Sequence, residues 1–275
     1  MAIHLKSRYG PWAVVTGASD GIGRETALKL GASGINLVLV ARRTPRLEAL
    51  ALKVEQAHGV RTRVLSLDLS RSESVQQLLD ETKDLPVGLL IAAAGYGGSG
   101  RLVDAEVHRE LEMVDVNCRA VLQLTHGFAQ RFMRQKRGGI VLFSSIVAFQ
   151  GVPRAANYAA TKAYVQSLAE GLRPELAPHG VDILVSAPGP VRSGFGDRAN
   201  MRMNNAMSPS RVAVGTLSGL GRRGVVRPGF LSKFLEFGLS MLPRSLRVRV
   251  LQAVMHGMTR HQVAREPTTS PSSMS

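Results

Sequence analysis

The chain has 275 residues, 44% of them hydrophobic, which is enough to bury one large α/β core. Its single cysteine, Cys118, excludes an internal disulfide and a cysteine-rich zinc site, and it favours a reducing, cytoplasmic setting. The 35 basic residues against 20 acidic ones give a charge of +15, which favours a polyanionic partner: a phosphorylated cofactor, an acidic lipid, coenzyme A or a nucleic acid.

Short β-branched and aliphatic runs alternate with longer helical patterns along the chain. The pattern predicts strands at 12–16, 35–41, 61–67, 87–93, 139–145 and 181–187, with helices at 21–33, 43–57, 71–83, 104–134 and 156–177. This order predicts a single-domain, Rossmann-type doubly wound parallel sheet with helices on both faces. We expect no signal peptide, and no run approaches the roughly 20 apolar residues that span a bilayer.

Three further segments follow the sixth strand. Residues 188–208 are rich in Gly and Pro, and we interpret them as a mobile substrate lid within a domain spanning 1–228. Residues 229–265 predict a helical, amphipathic and basic extension, which could lie on an anionic membrane, cover the substrate site or form a dimer contact. Residues 266–275 are mostly Pro, Ser and Thr and predict a disordered tail.

A glycine-rich turn links the first strand to the first predicted helix. Glycines let the backbone approach a pyrophosphate closely, and the N–H groups at a helix start favour negative charge. The alternative is an ordinary turn with a helix cap. We predict that the turn binds cofactor phosphates through Gly17, Ser19, Asp20, Gly21, Ile22 and Gly23.

The ends of the second and third strands predict which dinucleotide binds. Arg42 and Arg43 occupy the position where an NAD-selective fold carries an acidic residue, and a guanidinium binds a 2′-phosphate with forked hydrogen bonds. NADP(H) is therefore favoured over NAD(H), although the arginines could also form a solvated cap. Asp68, followed by Leu69, could accept a hydrogen bond from the adenine amino group or cap the helix that begins near Ser70.

Three polar residues form the predicted catalytic group. Tyr158 and Lys162 are four residues apart on one helix face, and an ammonium group beside a phenol lowers the pKa of that phenol toward neutrality. Ser145 ends the fifth predicted strand, so its hydroxyl should reach the same crevice.

These motifs, in this order and spacing, resemble the short-chain dehydrogenase/reductase family over roughly residues 10–210. The resemblance implies that Tyr158 is the general acid/base, that Lys162 lowers its pKa and binds the nicotinamide ribose, and that Ser145 holds the substrate oxygen. It also implies that Asn117 keeps a water molecule beside Lys162 for proton relay. The segment with Pro188, Gly189, Val191 and Ser193 resembles the family's nicotinamide-binding Pro-Gly segment.

One motif departs from the family pattern. The family's Asn-Asn/Ala-Ala-Gly, after the fourth strand, is here Ala92-Ala93-Ala94-Gly95. Ala94 and Gly95 remain predicted cofactor contacts. Losing the first Asn removes a side-chain hydrogen bond that steadies the central sheet, which puts local stability in doubt more than chemistry.

The resemblance implies metal-free hydride transfer between the nicotinamide and a carbonyl or secondary alcohol, with reduction as the physiological direction. The lid residues Phe195, Met201, Met203 and Met207 suit an apolar substrate such as a fatty acyl chain or a sterol, or they pack the lid on the core. Asp20 and the C-terminal extension resemble the hydroxysteroid dehydrogenase and 3-oxoacyl-thioester reductase branch.

The sequence also bears on a rival function, on a nucleic-acid partner and on the oligomeric state. The rival function is a catalytically silent, nucleotide-sensing regulator on the same fold, which the intact catalytic group disfavours. An aromatic share of 5% without any recognisable DNA- or RNA-binding motif argues against a nucleic-acid partner. The resemblance implies a homodimer or homotetramer formed through the long helices at 104–134 and 156–177.

Overall fold

A computed structural model gives the fold, and it describes residues 2–203, 206–229, 238 and 241–263. The strands are β1 (Trp12–Thr16), β2 (Asn36–Ala41), β3 (Thr62–Ser66), β4 (Val87–Ala92), β5 (Gly138–Phe143), β6 (Val181–Ser186) and β7 (Val225–Val226). The helices are α1 (Ala2–Tyr9), α2 (Gly21–Gly31), α3 (Thr44–His58), α4 (Ser72–Asp80), α5 (Val107–Val114), α6 (Ala120–Gln135), α7 (Ala156–Leu176), α8 (Phe195–Arg198), α9 (Pro209–Gly219) and α10 (Arg244–Val263).

The seven strands form one parallel sheet in the order β3-β2-β1-β4-β5-β6-β7, which confirms the predicted doubly wound fold. The strand order reverses between β1 and β4, so a crevice opens there at the carboxyl ends of the strands. Successive residues of β1 face opposite layers: Val15 packs under α2, α3 and α9, and Val14 packs under α4, α6 and α7. Because both faces are buried, the strands are almost continuously apolar.

The structure corrects the interpretation of residues 188–208. This segment contains the one-turn helix α8, and it is followed by α9 and β7, so the strand–helix alternation continues instead of ending. Val226 of β7 pairs with Ser186 of β6. A two-residue strand is too short to carry a period, which is why the pattern did not reveal it.

The predicted helix at 104–134 begins later than expected and contains an unpredicted π-helical turn. A 3₁₀ turn at Leu102–Asp104 precedes α5, and a π-helical turn at Asp115–Arg119 joins α5 to α6 without a break in the helical backbone. Each π turn takes one more residue than an α turn, and such turns are frequent at functional sites. The apolar pattern continues across the interruption, so it gave no sign of it.

The C-terminal helix α10 packs over the catalytic edge of the sheet. Leu251 and Met255 of α10 are buried against Val152, Ala155 and Ala159. Of the three arrangements left open for the extension, the inner face of α10 therefore forms a cover over the site. The predicted tail at 266–275 and the apolar run at 230–237 lie outside the described residues.

None of the helices in the described ranges combines the length and the apolar character that crossing a bilayer requires.

Candidate active site

A single cavity of about 460 Å³ follows the carboxyl edge of the sheet. One end is polar and basic, the other end is apolar, and the catalytic candidates lie between them. The predicted cofactor residues all line this cavity: Gly17, Ser19, Asp20, Gly21, Ile22, Gly23, Arg42, Arg43, Asp68, Leu69, Ala94, Gly95, Tyr158, Lys162, Pro188, Gly189, Val191 and Ser193. Ser145 also lines it, whereas Asn117 lies behind its wall.

The glycine-rich turn leaves no room for side chains at two positions. Gly17 has a φ of +67°, which favours glycine, and a Cβ there would lie 2.7 Å from the carbonyl oxygen of Ala93. A Cβ on Gly23 would lie 2.3 Å from the carbonyl oxygen of Gly17. Asp20 caps α2 by accepting a hydrogen bond from the Gly21 N–H at 2.7 Å. The turn therefore presents backbone to the cavity.

Carboxylates hold both arginines of the β2 end. Arg42 Nη1 lies 3.3 Å from a carboxylate oxygen of Glu112 and 3.6 Å from one of Asp68. Arg43 Nη2 donates to Ser19 Oγ at 3.0 Å and lies 3.6 Å from Asp20 Oδ2. These pairs orient the two guanidinium groups at the polar end of the cavity.

The alternative role of Asp68 as a cap near Ser70 needs correction. Asp68 Oδ1 accepts from the Ser70 N–H at 3.1 Å and from the Ser70 hydroxyl at 2.9 Å. These bonds form a local turn, and α4 begins two residues later, at Ser72. The other carboxylate oxygen faces Arg42.

The catalytic candidates meet where β5 and α7 adjoin. Ser145 follows β5 by two residues, and Tyr158 lies in the first turn of α7. Lys162 is one turn further along, and its Nζ lies 5.7 Å from the centre of the Tyr158 ring. That Nζ donates a hydrogen bond to the carbonyl oxygen of Phe143 at 3.0 Å. The helix and the strand thus converge on one point of the cavity.

The charge states differ from the sequence prediction. Burial raises the pKa of Tyr158 to about 12, although a hydrogen bond with Ser145 acts in the opposite direction. Burial also disfavours the charged form of Lys162, which lowers its pKa to about 8. No lowering of the phenol pKa by the ammonium group offsets this, because loss of hydration dominates both groups. Tyr158 is therefore a protonated phenol at neutral pH.

Asn117 belongs to the π-helical turn and is fully buried. Its Nδ2 donates to the Tyr96 carbonyl at 2.9 Å and to Thr161 Oγ1 at 3.0 Å, while its Oδ1 accepts from the Tyr96 N–H at 3.2 Å. A Cβ on Gly95 would lie 2.9 Å from Asn117 Oδ1 and 3.5 Å from Lys162 Nζ. Asn117 and Lys162 therefore approach each other behind Gly95.

Two hydroxyl groups hold this edge of the sheet. Thr16 Oγ1 accepts from the Ala94 N–H at 3.0 Å and donates to the Ile91 carbonyl at 3.5 Å, so it links β1 to the β4 end where the family's Asn is missing. Ser144 Oγ donates to the Lys162 carbonyl at 2.9 Å and ties β5 to α7. Neither residue was among the predicted site residues.

The substrate end is apolar and comes from two distant segments. Phe195 of α8 stacks at a tilt on Tyr158, with ring centres 5.4 Å apart, and Met201 and Met203 also line the cavity. Met207 does not, because it bridges to Val191. The α10 contribution is Leu251, Val254, Met255 and Met258, and the sequence placed the extension at the site only as one of three alternatives. The helical period of α10 was readable, but no sequence signal says where such a helix docks.

A further cavity-lining residue missed from the sequence is Arg198, at the end of α8. Nothing in the Gly- and Pro-rich segment distinguished it from the other arginines of the C-terminal half.

Comparison with known proteins gives one family and several similar relatives. Residues 11–204 match the model of the family described as short chain dehydrogenase. A 7beta-hydroxysteroid dehydrogenase of Clostridium sardiniense is 32% identical over 187 residues, which cover 68% of this chain and 72% of that protein. A very-long-chain 3-oxoacyl-CoA reductase of Meyerozyma guilliermondii is 33% identical over 253 residues, covering 85% and 73%. A solved short-chain dehydrogenase from Sphingobium yanoikuyae in complex with NADPH has 27% identity and a TM-score of 0.77, covering 95% and 98%.

Proposed function

This chain belongs to the short chain dehydrogenase family of oxidoreductases, and we propose that it uses NADPH to reduce an apolar ketone, of the 3-oxoacyl or steroid-like kind, to a secondary alcohol. The observation that carries the proposal is the position of Ser145, Tyr158 and Lys162, midway along one cavity between a phosphate-binding turn and an apolar chamber.

The residues at the polar end fit a phosphorylated dinucleotide. The turn excludes a Cβ at Gly17 and Gly23, which leaves backbone N–H groups and the α2 dipole facing the position of a pyrophosphate. Arg42 and Arg43 would bind the 2′-phosphate, and Asp68 and Leu69 would border the adenine. The relative solved with NADPH supports the choice of NADP(H). When bound, the cofactor would supply the hydride that reduces the carbonyl carbon.

Tyr158 and Ser145 would act on the substrate oxygen. Because burial keeps the pKa of Tyr158 near 12, the phenol is protonated at neutral pH and is ready to donate its proton to the oxygen. Ser145 would donate a second hydrogen bond to the same oxygen. Lys162 and Asn117, which lie together behind Gly95, would return a proton to Tyr158 after each turnover. The protonated phenol is the form of Tyr158 that reduction requires, and we expect reduction as the physiological direction because cofactor pools usually make NADPH a reductant.

The substrate chamber favours a large apolar molecule. Its walls are Phe195, thioethers of the lid, and Leu251 and Met255 of α10. Methionine side chains adapt to irregular apolar surfaces, which suits acyl chains and fused rings. The two curated relatives, named for a hydroxysteroid and for a very-long-chain 3-oxoacyl-CoA, support the same substrate class.

A homo-oligomer formed through α5, α6 and α7 is part of the proposal. Val107 and Leu111 of α5 are 71% and 59% exposed, and Leu122 and Tyr164 add apolar surface on α6 and α7. Exposed apolar patches of this kind mark contact surfaces. Sedimentation velocity should give a dimer or a tetramer for the wild type and a monomer for Leu111→Asp. A monomeric wild type would remove this part of the proposal.

Calorimetry with NADPH and NADH tests the cofactor, using wild type, Arg42→Ala and Arg134→Ala. Arg134 carries the same charge but does not line the cavity. We expect the wild type and Arg134→Ala to prefer NADPH, and Arg42→Ala to lose roughly tenfold of that preference, because a charge-assisted hydrogen bond is removed. A wild type that binds neither nucleotide would refute the proposal, and a wild type that binds NADPH but turns over none of the substrates would favour the regulator.

Turnover tests the chemistry. With NADPH and a panel of ketones and 3-oxoacyl thioesters, Tyr158→Phe should lower kcat by about 10²- to 10⁴-fold, the usual worth of general acid catalysis, while NADPH affinity stays unchanged. Unaltered turnover in Tyr158→Phe would remove Tyr158 from the mechanism.

A further inference from the structure

The lid helix α8 has one residue at each end of the cavity. Phe195 begins the helix and stacks on Tyr158 at the substrate end. Arg198 ends it, three residues later, and lines the same cavity as Arg42 and Arg43. Residues three apart share a helix face, so one turn of helix connects the two ends.

Arg198 lies in a strongly positive environment. Partial burial and then the charges of Arg43 and Arg42 lower its pKa, and Arg46, in the first turn of α3, contributes in the same direction. Asp20 opposes them. Three guanidinium groups, those of Arg42, Arg43 and Arg198, therefore line the cavity. Like charges held close together repel each other unless an anion lies among them.

Arg198 differs from the two sequence-predicted arginines in having no fixed partner. Arg42 is paired with Asp68 and Glu112, and Arg43 with Ser19 and Asp20. The Arg198 backbone N–H donates to the Gly194 carbonyl at 3.3 Å, but within the described residues its side chain donates no hydrogen bond and forms no ion pair at contact distance. Its guanidinium is therefore available to a ligand.

The start of the lid rests on the glycine-rich turn. The Gly194 N–H donates to Asp20 Oδ2 at 3.3 Å. A Cβ on Gly21 would lie 2.9 Å from the Cβ of Ser193. Because α8 begins at the next residue, its position depends directly on the turn that is proposed to hold the cofactor phosphates.

We propose that Arg198 is a third arginine of the 2′-phosphate site, delivered by the lid, and that the bound 2′-phosphate holds α8 closed over the substrate. This inference rests on the proposed use of NADP(H). A guanidinium binds phosphate through two parallel hydrogen bonds. The phosphate would therefore join α8 to the segment between the end of β2 and the start of α3. The group that selects the cofactor thereby also completes the substrate chamber, because Phe195 moves with Arg198.

The test compares adenosine 2′,5′-bisphosphate with adenosine 5′-monophosphate, two ligands that lack the nicotinamide and differ in one phosphate. Calorimetry is done on wild type, Arg198→Ala, Arg198→Lys and the matched control Arg202→Ala. Arg202 lies in the same segment and is exposed, but it does not line the cavity. Circular dichroism and thermal melting confirm that each variant is folded.

Wild type and Arg202→Ala should prefer the bisphosphate, Arg198→Ala should lose about tenfold of that preference, and Arg198→Lys should lose less. Hydrogen exchange reports on the lid: the bisphosphate should slow exchange at residues 193–203 in wild type and in Arg202→Ala but not in Arg198→Ala. With NADPH the ketone KM of Arg198→Ala should rise, whereas with NADH it should equal that of the wild type.

Each contrary outcome has a distinct meaning. If wild type prefers the bisphosphate and Arg198→Ala retains the whole preference, or its lid is protected as in wild type, the role of Arg198 is refuted while the proposed cofactor stands. If wild type shows no preference, the NADP(H) assignment fails, and the inference fails with it.

Discussion

The two ends of the cavity are built from the chain in different ways. At the cofactor end, neighbouring residues make the site: Asp20 caps the helix that begins at Gly21, and Gly23 packs on Gly17. At the substrate end, α10 packs on segments far away in the sequence, as when Leu251 and Met255 are buried against Val152 and Ala159. The glycine-rich turn of the cofactor end is therefore a local structure, whereas the wall of the substrate end depends on long-range docking.

The largest effect is expected at Lys162, where the two ends meet. Its pKa falls from an ordinary 10.5 to about 8, so the folded state releases this proton at lower pH than the unfolded state, and stability should rise as pH increases between those values. Relative to Lys162→Met, the wild type should gain about 3 kcal/mol of unfolding free energy between pH 7 and pH 11.

Urea unfolding of the two proteins across this pH range makes the measurement, and titrations common to both cancel in the difference. If the unfolding free energies of the two proteins changed in parallel with pH, Lys162 would be hydrated in the folded protein.

A matched pair of glycines tests the cofactor end. Gly23→Ala places a Cβ against the Gly17 carbonyl, so we expect a loss of about 2 kcal/mol in unfolding free energy and at least roughly tenfold in cofactor affinity. Gly171→Ala, on an exposed turn of α7 with nothing nearby, should instead stabilise the fold by about 0.5–1 kcal/mol. Unfolding and calorimetry on both variants measure these changes. Equal changes in unfolding free energy and in cofactor affinity for the two variants would contradict the tight turn.

The smallest effect is expected at the substrate end. Met255→Ala removes a thioether that is 4% exposed and lines the cavity, so the KM for an apolar ketone should rise about tenfold while the cofactor Kd stays unchanged. Val250→Ala, on the outer side of α10 and 38% exposed, should change neither constant. A change in cofactor affinity for Met255→Ala would mean that α10 also acts at the cofactor end, beyond the link through α8 proposed above.

The features that could be predicted from the sequence are those that depend on residues close together along the chain. The first six strands could be predicted because each is a short run rich in apolar or β-branched residues between turn residues. The glycine-rich turn could be predicted because its backbone conformation requires glycines at a fixed spacing. β7, with two residues, has no period, and the π-helical turn leaves the apolar pattern of its helix uninterrupted. The docking of α10 and the position of Arg198 depend on contacts between distant segments, which no residue pattern encodes.

The charge state of Tyr158 shows a further limit. The spacing of Tyr158 and Lys162 gave their proximity, but the sign of the Tyr158 pKa shift depends on burial, which outweighs the hydrogen bond with Ser145. Desolvation is a property of the packed molecule. Counting residues between two side chains cannot supply it.

Because α10 forms one wall of the substrate chamber, the order of synthesis on the ribosome separates the two ends in time. Every predicted cofactor contact, and Ser145, Tyr158 and Lys162, has been translated by Ser193, some 50 residues before α10 begins. At about 5–20 residues per second, several seconds separate the synthesis of the last sequence-predicted cofactor contact from the synthesis of α10. A molecule interrupted before α10 would carry every sequence-predicted cofactor contact but would lack one wall of the proposed substrate chamber.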